Sequence, residues 1–418
     1  LMHFTVVDDC VRMLPQCFQH NFTEQENRYL SSLIMEVGAV DTSPGVALKF
    51  SVSNEQAFAD GMMIMSPIAP RDMMDLSAAE KENLIKDYIA VARREGAEFF
   101  GLGAYTSVIT RGGEKMLDDI DDLSFTTGNS LTAIATTETV LEASGRNLIG
   151  AVISVIGARG AVGKLMVSEL AHWGDNIILM GRPGTEKHLL QELLPSLCQL
   201  AFSGEQQVLP GSVIDNIQRY VRQAMPAFAE RIGTTPALSP ADAAAVAERL
   251  LADDVVSSLG LSTCDCYKTA LEQSDYVVSA TSEGKPFLNT GFLKPGAIAI
   301  DTARPFDFIV QPGQRVQVLE GGLVIQPEPL RYGDCNMVGL PAGVNLACLS
   351  ETIALAIEGC EGRFSVGKSI DYAQARYITD IARKQGFRPL GYPAPAPVAK
   401  KTPSCESTAN EEPLVELS

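Results

Sequence analysis

Two stretches of this sequence carry residue types at spacings that chemistry can use. The first is Val155 to Gly163, VIGARGAVG, with Gly157, Gly160 and Gly163 at three-residue spacing directly after the β-branched run Val152–Ile156. One glycine permits a tight turn, one lets backbone amides approach a phosphate, and one lets a helix pack closely on a strand. The amphipathic segment that follows, to about Trp173, would aim the positive end of a helix at the same phosphate. A second apolar run, Ile177–Met180, completes strand, glycine turn, helix, strand, the first βαβ unit of a dinucleotide-binding domain. Gly157, Arg159, Gly160, Ala161, Val162 and Gly163 are the expected cofactor contacts.

The end of the second strand suggests which dinucleotide. An NAD site places a carboxylate there for the ribose hydroxyls, whereas this chain has Gly181-Arg182-Pro183. With no acid to repel a 2′-phosphate and a guanidinium suited to bind one, NADP(H) is the expected cofactor. The plainer account of Arg182 is a solvated loop residue. Thr281, in the loop Thr281–Gly284 after the apolar run Tyr276–Ala280, would lie at the strand carboxyl ends as a further cofactor contact.

The second stretch surrounds Cys348. A helix is expected from Asn345 to about Glu358, with Leu346, Leu349, Ile353 and Ile357 as its apolar stripe. With Asn345 as N-cap, Cys348 falls at the third helical position, where a helix terminus stabilises a thiolate. The alternative is a small buried hydrophobe. Upstream, FTTGNSLTA (Phe125 to Ala133) leads into the helical pattern Thr132–Ala143. Gly128, Asn129 and Ser130 are then either an N-cap with its loop or a polar cluster facing a cleft.

Composition bounds the rest. The 418 residues allow two or three domains, and 46% hydrophobic with 20% charged residues describe a globular protein. A net charge of −18 argues against nucleic acid or an anionic membrane as main partner. No apolar run approaches the length of an integral membrane segment, and no signal peptide is expected. The nine cysteines are scattered; Cys264 and Cys266 are a close pair without the second half of a zinc site, and the four histidines lie far from the C-terminal cysteines. No metal is expected, and reduced thiols point to the cytoplasm.

The expected fold is α/β, a Rossmann-type doubly wound sheet plus an N-terminal α/β substrate domain completed by C-terminal helices. The boundaries are 1–130 for the N-terminal acyl-binding domain, 131–326 for the Rossmann domain with a helical insert at 203–265, 327–390 for C-terminal helices carrying Cys348, and 391–418 for a tail of disorder-like composition. Helices are expected at Gln25–Met35 behind a Thr23/Glu26 capping box, at Ser77–Glu95, Val213–Glu230, Pro240–Ala252 and Tyr372–Gln385. Strands are expected between Leu48 and Met65, along the β-rich run Phe99–Thr110, and at Ala297–Asp301, Val316–Leu319 and Leu323–Ile325.

With these pieces placed, the chain resembles the cyanobacterial long-chain acyl-acyl-carrier-protein reductases, an aldehyde-forming, NADPH-dependent family. The segments LGAYTSVIT (Leu102 to Thr110), FTTGNSLTA, VIGARGAVG, the Gly321-Gly322 turn, ACLSE (Ala347 to Glu351) and GFRPL (Gly386 to Leu390) occur in family order. The resemblance implies that Cys348 takes an acyl group from acyl carrier protein or acyl-CoA and that NADPH reduces the enzyme thioester to an aldehyde. Cys348, Thr127 and Asn129 form the expected catalytic set, with the proton coming from water, from a hydroxyl such as Tyr105, Ser107 or Thr127, or from a residue brought in by folding. Two other functions stay open: an NADP-dependent two-domain dehydrogenase acting directly on a ketone or enol acid, and a non-catalytic nucleotide-binding partner protein. A homo-oligomer is also left open.

Overall fold

Residues Ile153–Ile156 are buried at all four positions, and a strand buried on both faces belongs inside a parallel sheet. The computed structural model shows that sheet. It describes residues 41–392 apart from 54–57, 69, 104, 116–119, 205–206, 233–237, 314, 328–339 and 341–342, together with parts of 23–36. The expected tail from 393 onward, the N-terminal residues to 22, and Cys10, Cys17, Cys335 and Cys405 lie outside the described residues. Thr23 and Glu26 do exchange the expected bonds, with Thr23 N donating to Glu26 Oε2 at 2.7 Å and Glu26 N to Thr23 Oγ1 at 3.2 Å.

The chain enters through an antiparallel hairpin, β1 (Gly45–Ser53) and β2 (Phe58–Met65). A short helix α1 (Pro70–Asp75) precedes α2 (Ala78–Arg94), whose N-cap Ser77 and Glu80 form a complete capping box. Next come β3 (Phe99–Gly101), α3 (Tyr105–Ile109), β4 (Ser124–Thr126) and α4 (Asn129–Ala143). The β-rich expectation for Phe99–Thr110 is corrected here, since only its first three residues form a strand. In α3 the hydroxyls of Thr106 and Thr110 donate to Gly103 O at 2.6 Å and Thr106 O at 2.7 Å. Burial of Tyr105, Thr106 and Ile109 overrides their β preference.

The sheet itself follows. Its elements begin β5 (Ile153–Ile156), α5 (Ala161–Leu170), β6 (Ile177–Met180), α6 (Glu186–Ala201), α7 (Val213–Ala224), α8 (Pro226–Ile232), α9 (Pro240–Ala252) and β7 (Leu261–Thr263). They continue through α10 (Tyr267–Gln273), β8 (Tyr276–Ser279), β9 (Leu288–Asn289), β10 (Ile298–Asp301), β11 (Phe308–Ile309) and β12 (Gln317–Glu320). Six of these strands pair in the order β12-β10-β8-β5-β6-β7, all parallel. Counted within the sheet, that is the Rossmann order 3-2-1-4-5-6, with the order reversing between β5 and β8.

Two expectations about 203–265 are corrected. The third strand, β7, lies inside that range, and α7 and α9 bury Val213, Ile217, Val246 and Leu250 in the same core as β5 and β6. The segment is therefore largely part of the sheet's own covering. A three-residue edge strand has no apolar run to announce it. The helix expected at Val213–Glu230 also breaks at Met225, because Pro226 opens a new helix.

The chain closes with β13 (Leu323–Ile325), β14 (Val344–Leu346), α11 (Ala347–Glu358), β15 (Arg363–Phe364), α12 (Tyr372–Lys384) and β16 (Arg388–Pro389). β14 and β16 flank β13 in an antiparallel sheet, while β15 joins β4 and β3 in a parallel one. α4 packs Ala133, Val140 and Leu141 into the core around β5 and Leu131 and Ala135 into the core around α11. It is the shared wall between them. Among the described residues no helix is long and apolar enough to cross a membrane.

Candidate functional site at the carboxyl edge of the sheet

The glycine loop joins β5 to α5 at the point where strand order reverses. Gly157 has φ 83°, and a Cβ on it would lie 2.5 Å from Ala280 O in the loop after β8. A Cβ on Gly163 would lie 2.2 Å from Gly157 O, so that glycine lets α5 close onto the loop. Gly157 N and Ala158 N both donate to Met180 O at 3.0 Å, and Gly160 N to Gly157 O at 2.9 Å. Gly160 is the N-cap of α5 and has no side chain to cap it; Ala161, Val162 and Gly163 form the first turn. The spacing, the turn and the helix start are therefore as expected.

The flanking side chains are less available. Arg159 donates to Glu192 of α6 through Nε at 3.0 Å and Nη2 at 2.6 Å. Lys164 Nζ stands 3.1 Å from the other Glu192 oxygen, and these cations hold the Glu192 carboxyl down at about 2, with Arg159 contributing most. Arg182 is exposed, with its carbonyl accepting from Thr185 N and Oγ1. Thr281 Oγ1 donates to Asp307 at 2.8 Å, and Ser279 Oγ donates to the same carboxylate at 2.6 Å. Asp301 in turn accepts from the amides of Ala303, Asp307 and Phe308, and burial raises its pKa to about 6. Thr281 thus ties the β8 and β10 loops together.

Cys348 sits at the start of α11, close behind β14. Leu346 is the N-cap and Asn345 belongs to β14, so Cys348 is the second helical residue and not the third. Ala347 N donates to Gly322 O at 2.8 Å, which anchors this helix start to the turn after β12. Opposite stands Gly128, the N-cap of α4, at φ 73°. A Cβ on Gly128 would meet Cys348 Cβ at 2.4 Å and Cα at 2.5 Å. Two helix N-termini therefore meet at Cys348, and glycine is required where they touch.

The expectation of a stabilised thiolate is corrected. Cys348 keeps some contact with solvent, yet the protein packed around it disfavours the charged form and pushes the thiol up to about 11. Neighbouring Glu351 adds to the rise, while backbone amides at the helix start and the Arg304 guanidinium pull against it.

Thr127 and Asn129 lie at this junction but are partly committed. Thr127 Oγ1 donates to Ser365 O at 2.6 Å and accepts from Asn129 N at 3.4 Å. The residues that bind the junction together were missed in the sequence. Glu351, wholly buried, accepts from Leu131 N at 2.7 Å, from Thr126 Oγ1 at 2.5 Å and from Ser365 Oγ at 2.5 Å. The Ser130 amide also faces it. Ser365 gives its one hydroxyl proton to Glu351, so Ser130 Oγ must donate in their 2.6 Å contact. Burial raises the Glu351 pKa against the pull of these donors. An acid three residues after Cys348 on a largely apolar helix was the available signal for Glu351; Ser365, in a loop at φ 54°, had none.

Both halves lie at the carboxyl ends of the parallel strands. Gly157 follows β5, Thr281 follows β8, Arg304 follows β10 and Gly322 follows β12. Tyr105 closes over this edge, its hydroxyl 3.1 Å from where a Cβ on Gly284 would stand. A groove of about 1990 Å³ runs along α11 past Leu349 and Ile353 to Cys360, with Phe50, Met62 and Phe99 on its other walls.

The fold is that of a Rossmann-type α/β protein, with Cys348 near the carboxyl edge of the sheet. No protein-family model matches the chain. It is similar to aminotransferase PigE of Serratia sp. (strain ATCC 39006), 23% identical over 382 residues, which covers 90% of this chain and 37% of that protein. The chain thus spans little more than a third of that relative. This similarity corrects the expected activity. The relative bears a transferase name, so the NADPH-dependent reduction of an acyl thioester, the oxidoreductase class and NADP(H) as cofactor do not stand.

Proposed function

We propose that the chain is a transferase in which Cys348 takes an acyl group from a thioester, carried by coenzyme A or an acyl carrier protein, and hands it to an acceptor nucleophile. The observation that carries this reading is the seat of Cys348 between the N-termini of α4 and α11, against a glycine that lets the two helix starts touch. Thioester exchange needs neither oxidant nor reductant. The Cys348 sulfur bonds to the carbonyl carbon, the donor's C–S bond breaks, and the Cys348 proton leaves with the departing thiol. Amides at the start of α11 suit the oxyanion that develops on the carbonyl. Both donors carry phosphate, and the glycine loop with the start of α5 offers that phosphate a seat on the same edge. A reducing compartment such as the cytoplasm suits a reaction at a free thiol.

Pyridoxal phosphate, the group that an aminotransferase name implies, does not fit these residues. It is held as an imine on a lysine whose amine must shed its proton in a water-poor pocket. Among the described residues, Lys164 is bound to Glu192 and to Ser369, Lys81 donates to Met74 O, and Lys294 pairs with Asp275. The remaining described lysines are exposed. Aminotransfer is therefore left to the relative and not assigned to this chain.

Intact mass of the full chain incubated with acyl-CoA or acyl carrier protein tests the reading. Wild type should gain the acyl mass and Cys348→Ala should not. An undiminished adduct in that variant overturns it.

A further inference from the structure

α4 cannot be capped by a side chain of its own. Its N-cap Gly128 has φ 73° and the Cys348 backbone where a side chain would stand, which bars the Ser, Thr or Asp that ordinarily fills this position. The cap comes from the other helix. Glu351 reaches across from α11 so that one carboxylate oxygen takes the Leu131 amide and the other takes the Thr126 and Ser365 hydroxyls. Thr126 Oγ1 also accepts from Gly128 N at 3.2 Å, which draws the junction's tightest turn into the same network. A wholly buried carboxylate met by several donors from three segments has one position open to it. Cys348 and Glu351 are three residues apart on one helix and so are neighbours on its surface. The charged groups acting on the thiol are Glu351 of α11 and Arg304 of the loop after β10.

We propose that Glu351 is a positioning residue: by capping α4 from α11 it sets the gap between the two helix N-termini in which Cys348 meets its acyl donor. This rests on acyl uptake by Cys348. The ionised Glu351 carboxylate opposes ionisation of the thiol, so Glu351 helps geometry while hindering thiolate formation at the high pH where the thiol titrates.

Those opposite effects make the test. The full chain is compared as wild type, Glu351→Gln and Ser365→Ala, following acyl uptake from acyl-CoA by intact mass. Iodoacetamide alkylation of the Cys348 peptide is followed against pH, and circular dichroism reports folding. In Glu351→Gln, acyl uptake should fall about tenfold while the alkylation profile moves down by about one pH unit, as loss of a neighbouring like charge requires. Ser365→Ala removes one donor but keeps the carboxylate, so it should lower acyl uptake by less and not move the alkylation profile down; it carries the test if Glu351→Gln does not fold. In Glu351→Gln, two rates that fall together or an unmoved alkylation profile overturn the proposal, as does undiminished acyl uptake in Ser365→Ala. If wild type takes up no acyl group while the profile moves as stated, acyl transfer fails and the coupling of Glu351 to Cys348 stands.

Discussion

The two helix starts at the ligand edge, α5 behind the glycine loop and α4 behind Gly128, solve the same problem in opposite ways. Both have glycine at the N-cap and no side-chain cap of their own. At α5 the loop is held by backbone, with Gly157 N and Ala158 N donating to Met180 O. At α4 the turn is closed by Glu351, more than 200 residues away in sequence, and the space beside it is taken by Cys348. A helix N-terminus becomes an anion seat only where the protein leaves its amides unsatisfied. At the α4 start the protein has satisfied them itself and seated Cys348 beside them.

The sharpest test of that contrast is pH. With the Cys348 thiol pushed up to about 11, its reactive thiolate grows tenfold per pH unit below that value. Iodoacetamide alkylation of the Cys348 peptide should therefore climb about a thousandfold from pH 7 to pH 10; a plateau near pH 8 would show that the helix start does stabilise the thiolate. Next in size is Gly128→Ala. It forces a side chain onto the Cys348 backbone at positive φ and should cost on the order of 3 kcal/mol in urea unfolding. A loss below about 1 kcal/mol would mean that the two helix starts are not rigidly apposed.

Gly157→Ala should weaken binding of a phosphate-bearing donor about tenfold, since its Cβ would meet Ala280 O. It should spare acyl uptake from a short thioester that has no phosphate. Equal loss with both donors would merge the two regions into one. The smallest effect belongs to Arg159→Ala. The Arg159–Glu192 pair is solvent-exposed, so losing its contribution should move the urea midpoint only slightly. Glu192 is held below its unfolded value, so that contribution is present above about pH 4 and fades as pH falls toward 2. Unfolding curves of variant and wild type should converge at low pH.

How far the sequence could be read follows the same division. The glycine spacing, the β-branched runs and the cap of α2 are local patterns, and they placed β5, α5, β6 and Ser77 correctly. The motif Phe125 to Ser130 and the Cys348 helix were also visible, and the resemblance set Thr127 and Asn129 beside Cys348 as one expected site. Nothing local links Thr126 and Ser130 to Glu351 and Ser365, because a hydrogen bond across more than 200 residues leaves no periodicity. Arg182 and Arg159 looked like phosphate ligands by position, yet one is exposed at its turn and the other is tied to Glu192.

By itself the sequence determined the Rossmann-type sheet and the glycine turn that lets α5 close onto β5, since both depend on residues within a few positions of one another. Only the tertiary structure decided the state of Cys348. Its protonation depends on burial, on Glu351 and on Arg304, and its freedom depends on Gly128, and none of those neighbours is brought there except by the fold.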